Sequence, residues 1–130
     1  WAVGEGGTVL HWDGSAWTSV PSGTTIWLSG VWGSGPSDVW AVGEGGTVLH
    51  WDGSAWTSIS GTIADLGGVW GSGSSDVWAV GEGGTILHWN GSAWTSMSSG
   101  TTDILRSVWG SGPTDVWAVG AGGAILRYRP

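Results

Sequence analysis

Residues 38–57 read Asp38-Val-Trp-Ala-Val-Gly-Glu-Gly-Gly-Thr-Val-Leu-His-Trp-Asp-Gly-Ser-Ala-Trp-Thr57, and this stretch returns almost letter for letter along the chain. Successive copies open at Trp1, Trp40, Trp78 and Trp117, which are 39, 38 and 39 residues apart. A fixed period of about 20 to 50 residues is typical of solenoids, propellers and other repeat arrays. The period divides the 130 residues into repeats 1–39, 40–77 and 78–116 and a partial repeat, 117–130.

One repeat contains four short stretches that favour β-strands, separated by turn residues. We name them by type: A is 66–70, B is 39–42, C is 47–51 and D is 55–59. Types C and D are separated by Asp52-Gly53, which predicts a type I′ hairpin turn with positive φ at both central residues. The Gly/Ser-rich residues after type A predict a turn that leads into the next type B strand.

Four short strands in every 39 or so residues match one blade of a β-propeller. The chain then reads B-C-D, A-B-C-D, A-B-C-D, A-B-C, which makes 14 strands and about three and a half blades. Helical repeats of similar length are excluded because no apolar pattern of period 3.6 is present. We therefore predict an all-β fold, with residues 1–130 as a single propeller fragment whose ring is completed by another chain or by further sequence.

The composition agrees with an ordered, turn-rich β protein and excludes several functions. The chain has 27 glycines, 14 tryptophans and no phenylalanine, and aromatic residues at fixed spacing argue against disorder. A net charge of −7 argues against nucleic acid and anionic membranes as partners. No cysteine is present, so disulfides and thiolate metal sites are excluded, and we expect no cofactor. No targeting segment is visible, and a secreted or bacterial cell-surface location is the expectation.

The residues also carry a resemblance to a known family. Leu105-x-x-Val108 followed by Asp115-Val-Trp-Ala-Val-Gly-x-Gly-Gly-x-Ile-Leu126 resembles blades of the bacterial Asp-box (BNR-type) propellers, and most of all their photosystem II assembly-factor-like branch. In that family an Asp-Gly hairpin with a following Trp closes each unit. The resemblance places this box at three structural turns: Asp13-Gly14 with Trp17, Asp52-Gly53 with Trp56, and Asn90-Gly91 with Trp94.

The box departs from the family pattern in one place. The family has Ser or Thr two residues before the Asp, whereas this chain has His11, His50 and His88. The box is therefore degenerate, and no sialidase-like activity is carried over. Relatives with this fold include hydrolases, assembly factors and lectins, so the resemblance bears on fold far more than on function.

The tryptophans fall into two groups. Those that open the repeats, Trp1, Trp40, Trp78 and Trp117, lie in short apolar strands and are predicted to be core. Those on either side of the hairpin turn lie nearer the outer edge of a blade, where an indole face can stack on a sugar or another ligand. The candidate ligand-binding residues are Trp12, Trp17, Trp51, Trp56, Trp89 and Trp94.

The polar residues predict no catalytic site. Asp38, Asp76 and Asp115 recur before each type B strand, where Asp bonds to neighbouring backbone in turns. General acid catalysis needs two carboxylates in unequal environments, and equivalent copies do not supply them. The repeated histidines are interpreted as turn-capping or surface residues, and no metal site is predicted. Asn90-Gly91-Ser92 is a formal glycosylation sequon, interpreted as a variant of the Asp-Gly-Ser turn.

The unfinished ring leads to the functional hypothesis. An unpaired sheet edge recruits another chain, so we expect a homo-oligomer, with a dimer completing the ring. Uniform blades without asymmetric chemistry favour a non-enzymatic scaffold or protein-interaction platform. The alternative is a multivalent lectin with one weak sugar site per blade, whose avidity comes from repetition. The last copy ends in Arg127-Tyr128-Arg129-Pro130, and this drift from the repeat is interpreted as a C-terminal cap.

Overall fold

Short strands form four antiparallel sheets in a computed structural model of the chain, which describes residues 1–59 and 62–130. Each sheet is a meander in which consecutive strands pair with each other. Sheet I has three strands, sheets II and III have four, and sheet IV has three. The strands are β1 (Ala2–Val3), β2 (Val9–Trp12) and β3 (Trp17–Ser19) in sheet I; β4 (Leu28–Gly35), β5 (Asp38–Gly43), β6 (Val48–Trp51) and β7 (Trp56–Ile59) in sheet II; β8 (Leu66–Gly73), β9 (Asp76–Gly81), β10 (Ile86–Trp89) and β11 (Trp94–Met97) in sheet III; and β12 (Leu105–Gly112), β13 (Asp115–Gly120) and β14 (Ile125–Tyr128) in sheet IV.

The four sheets are successive blades of a β-propeller, which confirms the predicted fold class. Type A strands are innermost: β4 packs against β8, and β8 packs against β12. Their backbones approach closely at the glycines near the start of β4 and β8. A Cβ on Gly30 would lie 3.5 Å from the Cα of Gly68, and one on Gly68 would lie 3.2 Å from the carbonyl oxygen of Arg106. Glycine therefore lets neighbouring blades meet backbone to backbone near the axis.

The core lies between the blades rather than within them. Alternation along each strand sends one set of apolar side chains toward the preceding blade and the other set toward the following blade. Three apolar clusters result, one at each junction between sheets. Their buried members are Val9, Leu28, Val39, Ala41, Leu49 and Trp56 at the first junction; Trp40, Val42, Val48, Leu66, Val77, Ala79 and Leu87 at the second; and Trp78, Val80, Leu105, Val108, Val116 and Ala118 at the third.

The type A strand is longer than predicted. The sequence suggested that it ends at Trp70 and that a turn follows, whereas β8 continues through Gly73 and pairs with β9 up to Asp76. The register shifts between Gly71 and Gly73, so the extra residues are accommodated as a bulge. Gly71 is required for packing rather than for a turn, because a Cβ there would lie 2.6 Å from the ring of Trp32 in the preceding sheet.

The Gly-Glu-Gly-Gly turns form single turns of 3₁₀ helix between the type B and type C strands. In sheet II the turn spans Glu44–Gly46, and it is tied to the inner strand because the Glu44 N–H donates to the Trp27 carbonyl at 3.0 Å.

Across residues 1–59 and 62–130, none of the helical segments has the length and hydrophobicity that a membrane crossing demands.

Candidate functional site

The predicted ligand-binding tryptophans of sheets II and III form clamps around the preceding blade. Trp51 and Trp56 hold the ring of Trp1, with centroid distances of 5.1 and 5.3 Å. One blade further on, Trp89 and Trp94 hold Trp40 at 5.0 and 5.2 Å, and the ring of Trp94 meets it edge-on at 87°. These spacings and angles are those of favourable aromatic pairs. Each clamp therefore consists of two indoles from one blade around one indole of its predecessor.

The clamp occupies the indole faces that a ligand would need. Trp56 is buried, and Trp51, Trp89 and Trp94 are half-buried. Trp12 and Trp17 differ because sheet I has no preceding sheet in the chain to clamp. Their side chains are 46% and 52% exposed, and their rings lie 5.7 Å apart at an angle of 52°. The structure thus accounts for four of the six indoles by packing and leaves Trp12 and Trp17 open to a partner.

A polar network contacts the tryptophan that opens the repeat in sheets II and III. The His88 ring lies 4.2 Å from that of Trp78, and His88 Nε2 is 2.7 Å from Asp76 Oδ1. Asp76 also accepts hydrogen bonds from the Ser72 hydroxyl and the Trp78 indole N–H. His50 and Asp38 repeat the pair in sheet II at 2.7 Å. His50 and His88 therefore orient a core tryptophan, and their interpretation as turn-capping or surface residues was wrong because the pairing joins residues 12 apart on neighbouring strands.

The last copy keeps this geometry with different residues. Arg127 replaces the histidine: its Nε donates to Asp115 Oδ1 at 2.7 Å, and its guanidinium lies 4.9 Å from the Trp117 ring centroid. The Ser111 hydroxyl and then the Arg127 side chain hold the pKa of the Asp115 carboxyl below its usual value. A cation over an indole face is favourable, so Arg127 serves the same position as the stacked imidazole.

The hairpin loops contain Asp13-Gly14, Asp52-Gly53 and Asn90-Gly91, but the type I′ turn was a wrong prediction. Only the glycines have positive φ, between 99 and 103°. Asp52 Oδ1 accepts hydrogen bonds from the N–H groups of Ser54 and Ala55 at 2.8 and 3.0 Å, which closes a four-residue loop between paired Trp51 and Trp56. The side chain supplies the acceptor for the turn, so the aspartate keeps negative φ.

Acid is expected to weaken the Asp52 loop but not the Asn90 loop. The backbone and hydroxyl donors of Ser54 and the N–H of Ala55 lower the pKa of Asp52 below the ordinary value of 3.8. A lowered pKa in the folded state contributes stability that is present above the ordinary value and is lost as the pH falls through the folded value. Asn90 makes the same three bonds without titrating.

Urea unfolding at about pH 5 and about pH 2.5 measures this difference. Asp52→Asn is expected to lose less stability than the parent chain between the two pH values, and Asn90→Asp is expected to lose more. Equal losses in all three proteins would show that the loop carboxylate is not linked to folding.

The sequence did not reveal that identical letters have different exposures at the two ends of the array. Val119 is 43% exposed, whereas its counterparts Val42 and Val80 are fully buried, and Ile125 is 68% exposed, whereas its counterpart Ile86 is half-buried. We define the tail face as Trp117, Val119 and Ile125, on the side of sheet IV that has no following sheet. We define the head face as Ala2, Leu10, Trp12 and Trp17, on the side of sheet I that has no preceding sheet. Aligning the first and last repeats with the inner ones would identify these residues as counterparts of core residues. The alignment does not show which side of the sheet each side chain faces, and that direction is needed to group them into faces.

The described residues contain no group of three or more His, Asp or Glu side chains placed to hold a metal ion. The Ser72, Asp76 and His88 side chains are linked, but the aspartate lies between the serine and the histidine. In nucleophilic catalysis the histidine must contact the serine to take its proton, so this arrangement does not activate Ser72.

Comparison with known proteins supports the fold. No family model matches the chain, and no curated protein matches it. Solved structures of YCF48, a photosystem II assembly factor with a β-propeller fold, are similar. One is YCF48 bound to D1 peptide, with a TM-score of 0.75, 19% identity, and 98% of this chain and 44% of that chain covered. The other is YCF48 from Cyanidioschyzon merolae, with a TM-score of 0.78, 19% identity, and coverages of 97% and 45%. The chain therefore spans less than half the length of the propellers it matches, and at this identity the likeness concerns fold alone.

Proposed function

We propose that the chain is a non-enzymatic scaffold that self-associates end to end, the tail face of one copy packing on the head face of the next. The observation that supports the proposal is the exposure of matching halves of one repeated interface. Within the chain, Trp51 and Trp56 clamp Trp1, and Trp89 and Trp94 clamp Trp40. At the ends, no indole pair of residues 1–59 and 62–130 clamps Trp117, and the Trp12–Trp17 pair encloses no ring of these residues.

The rest of each face follows the same template. Val42 and Val48 are buried against Ala79 and Leu87 of the next sheet. The tail face presents the equivalent residues Val119 and Ile125, and the head face presents Ala2 and Leu10, which are only half-buried. Contiguous exposed apolar residues of this kind mark interaction surfaces. A copy docked head to tail would cover both faces with contacts that the chain already makes internally.

The proposed contact is heterologous, because two different faces meet. Such contacts form open chains of subunits or closed rings. Two copies supply eight sheets, and propellers have about four to eight blades, so a two-copy ring falls within the known range. Two copies contain eight type B and eight type C strands but only six of type A and six of type D. The sheets that meet where two copies join therefore have three strands each.

Light scattering coupled to size exclusion tests the assembly. We expect the parent chain to elute at twice its 13.3 kDa mass or more, with a concentration-dependent profile. Trp17→Glu on the head face and Ile125→Glu on the tail face should each give a folded monomer, because a charge at either exposed position blocks one half of the contact. Circular dichroism of each variant is the control for folding.

Mixing the two variants distinguishes this contact from a symmetric one. Each variant retains one intact face, so an equimolar mixture should form a heterodimer through the tail of the Trp17→Glu chain and the head of the Ile125→Glu chain. A symmetric contact that needs the same face on both partners gives no such rescue. A stable 13.3 kDa monomer of the parent chain at high concentration would refute the proposal.

Carbohydrate binding remains a second candidate because Trp12 and Trp17 expose two neighbouring indole faces. The other indole pairs are engaged in clamps, so we restrict this hypothesis to one site per chain. Glycan-array binding by the Ile125→Glu chain, which keeps the head face intact, tests it, with Trp12→Ala as the matched control. Absence of binding to every glycan would remove the lectin hypothesis and leave self-association unaffected.

A further inference from the structure

The antiparallel meander sends successive connections to opposite ends of each sheet. In sheet II, β4 and β6 begin at the same end, so this end carries the Glu44–Gly46 turn and the connection that leads into the type A strand. We call it the entry end. The opposite end carries the turns between types A and B and the hairpin loops between types C and D. In sheet III the Glu82 N–H donates to the Asp65 carbonyl at 2.9 Å, so turn and connection lie against each other at the entry end.

Large apolar side chains are exposed at the entry end, in the connections into sheets II and III. Ile26 is 39% and Trp27 50% exposed just before β4, and Ile63 is 94% exposed before β8. Sheets II and III each have another sheet on both sides in the chain, so these exposures do not arise from the ends of the array. Exposed apolar residues of this kind mark interaction surfaces, and tryptophan is enriched among the residues that dominate binding energy.

The carboxylates at the two ends of the sheets differ in their partners. At the opposite end, five aspartates accept hydrogen bonds from within the chain: Asp13, Asp38, Asp52, Asp76 and Asp115. At the entry end, the side chains of Glu5, Glu44 and Glu82 are exposed, and none of them has a hydrogen bond or ion pair with a residue that the structure describes. The glutamates therefore present free negative charge beside the exposed apolar residues.

An open cleft of about 330 Å³ brings these features together where sheets II, III and IV meet. Glu44, Asp65 and Glu82 line the cleft, and Arg106 is the cationic residue of its lining. Ile104, which is 37% exposed, adds an apolar side chain. Three carboxylates outnumber one guanidinium, and a cleft with an excess of one sign of charge concentrates the field and attracts the opposite sign.

We propose that the entry end docks a segment of another protein in which lysine or arginine residues stand beside aliphatic residues. The docking surface consists of Ile26, Trp27, Glu44, Ile63 and Glu82. Cationic side chains of the partner face the two glutamates, and its aliphatic side chains cover the tryptophan and the isoleucines. Burial of the apolar residues supplies affinity, whereas the complementary charges orient the partner and speed association.

Charge also argues against other occupants. Nucleic acids and anionic membranes carry the same sign as the glutamates and are repelled. A second copy of the chain has a net charge of −7, with three arginines and no lysine, so it does not supply the cations either. The head face and the tail face contain none of the five docking residues. Docking at the entry end is therefore independent of self-association, and either proposal can fail without the other.

Fluorescence anisotropy of a labelled peptide, Lys-Leu-Gly-Lys-Leu-Gly-Lys-Leu, tests the proposal on the parent chain. We expect saturable binding below about 1 mM that weakens between about 50 and about 300 mM salt, because salt screens exposed charges. A peptide with Glu in place of Lys, and one with Ser in place of Leu, should each bind at least about tenfold more weakly. No binding up to about 1 mM, or equal binding by the Lys and Glu peptides, would overturn the proposal.

Two double variants with the same change in net charge locate the site. Glu44→Gln with Glu82→Gln should weaken binding of the Lys peptide at least about threefold, because two exposed charge pairs are lost. Asp13→Asn with Asp52→Asn removes two charges from the opposite end, and Asn90 shows that these loops form with Asn. This second pair should leave binding within about twofold. Equal weakening by both pairs would mean attraction to the net charge alone and would contradict a docking surface.

Ile63→Ser separates apolar docking from purely electrostatic attraction. Ile63 is 94% exposed, so its replacement should leave the fold intact, with circular dichroism as the control. Loss of its burial against the partner should weaken binding of the Lys peptide at least about threefold. Unchanged binding would refute the apolar part of the surface. Release of monomers from the assembled parent chain by the peptide would show that a second copy occupies this end, and that result would also overturn the proposal.

Discussion

Replacing Gly81 by alanine is expected to lower the free energy of unfolding by about 3 kcal/mol, near the upper end of the usual cost of overpacking. A Cβ at this position would lie 2.0 Å from the carbonyl oxygen of Asp65 and 2.9 Å from the Cα of Leu66. Both are backbone atoms, and the Asp65 oxygen accepts a hydrogen bond from the Glu82 N–H at 2.9 Å. The φ of Gly81 is −171°, so the cost comes from steric contact and not from backbone conformation. Urea unfolding followed by circular dichroism measures it.

Gly4 provides a matched control at the same place in the first repeat. Its φ is also −171°, yet a Cβ there would have nothing within 4 Å, because sheet I has no type A strand beside it. Gly4→Ala should therefore change stability by less than about 0.5 kcal/mol, as is usual for substitutions without a new contact. Similar effects at Gly4 and Gly81 would mean that the inner strand does not approach the Gly-Glu-Gly-Gly turn as the structure shows.

Replacing Trp40 by alanine is expected to cost about 4 kcal/mol, within the range for deletion of a buried indole. Trp40 is 1% exposed and is enclosed by His50, Trp89 and Trp94. Its removal leaves a cavity at the junction of sheets II and III, and the surrounding rings belong to different strands that cannot collapse together. Thermal and urea unfolding at a concentration where the chain is monomeric measure the loss.

Trp117 occupies the same position in sheet IV, where no following sheet covers it. Trp117→Ala should cost less than half as much as Trp40→Ala, because Trp117 is only half-buried and, of the residues that the structure describes, Arg127 alone stacks on its ring. Trp40→Phe is a second control: the Trp40 N–H has no hydrogen-bond partner, so phenylalanine should lose only part of the packing. A Trp117→Ala cost equal to that of Trp40→Ala would contradict the clamp as the source of stability.

The strand order could be predicted from the sequence because the local signals repeat. Apolar alternation, Gly-Gly and Asp-Gly pairs recur in every copy, and each points to the same strands and loops. Errors arose where a side chain acts beyond its neighbours. His88 bonds to Asp76 on the neighbouring strand, and the absence of a side chain at Gly71 leaves space for Trp32 of the preceding blade. The Asp52 side chain accepts hydrogen bonds within its own loop. An Asp-Gly pair in the sequence does not distinguish this loop from a type I′ turn.

The candidate sites could not be predicted in the same way. Trp17 and Trp56 have the same neighbours in sequence, yet one is 52% exposed and the other 8%. Only the position of the blade in the array makes this difference. The exposure of the head face and of the tail face therefore cannot be read from a sequence whose repeats are nearly the same.

The sequence by itself determined the all-β class, the four-stranded repeat and the order of the strands, because these depend on residue type and spacing within 39 or so letters. Only the tertiary structure decided which tryptophans are clamped, which histidines are paired and which apolar faces remain open. Those properties depend on the blade before and the blade after, and the first and last blades lack one of these neighbours in the chain. The burial of a side chain depends on the blades that surround it. Residues of the same type at equivalent positions are therefore buried in the inner blades and exposed in the first and last blades.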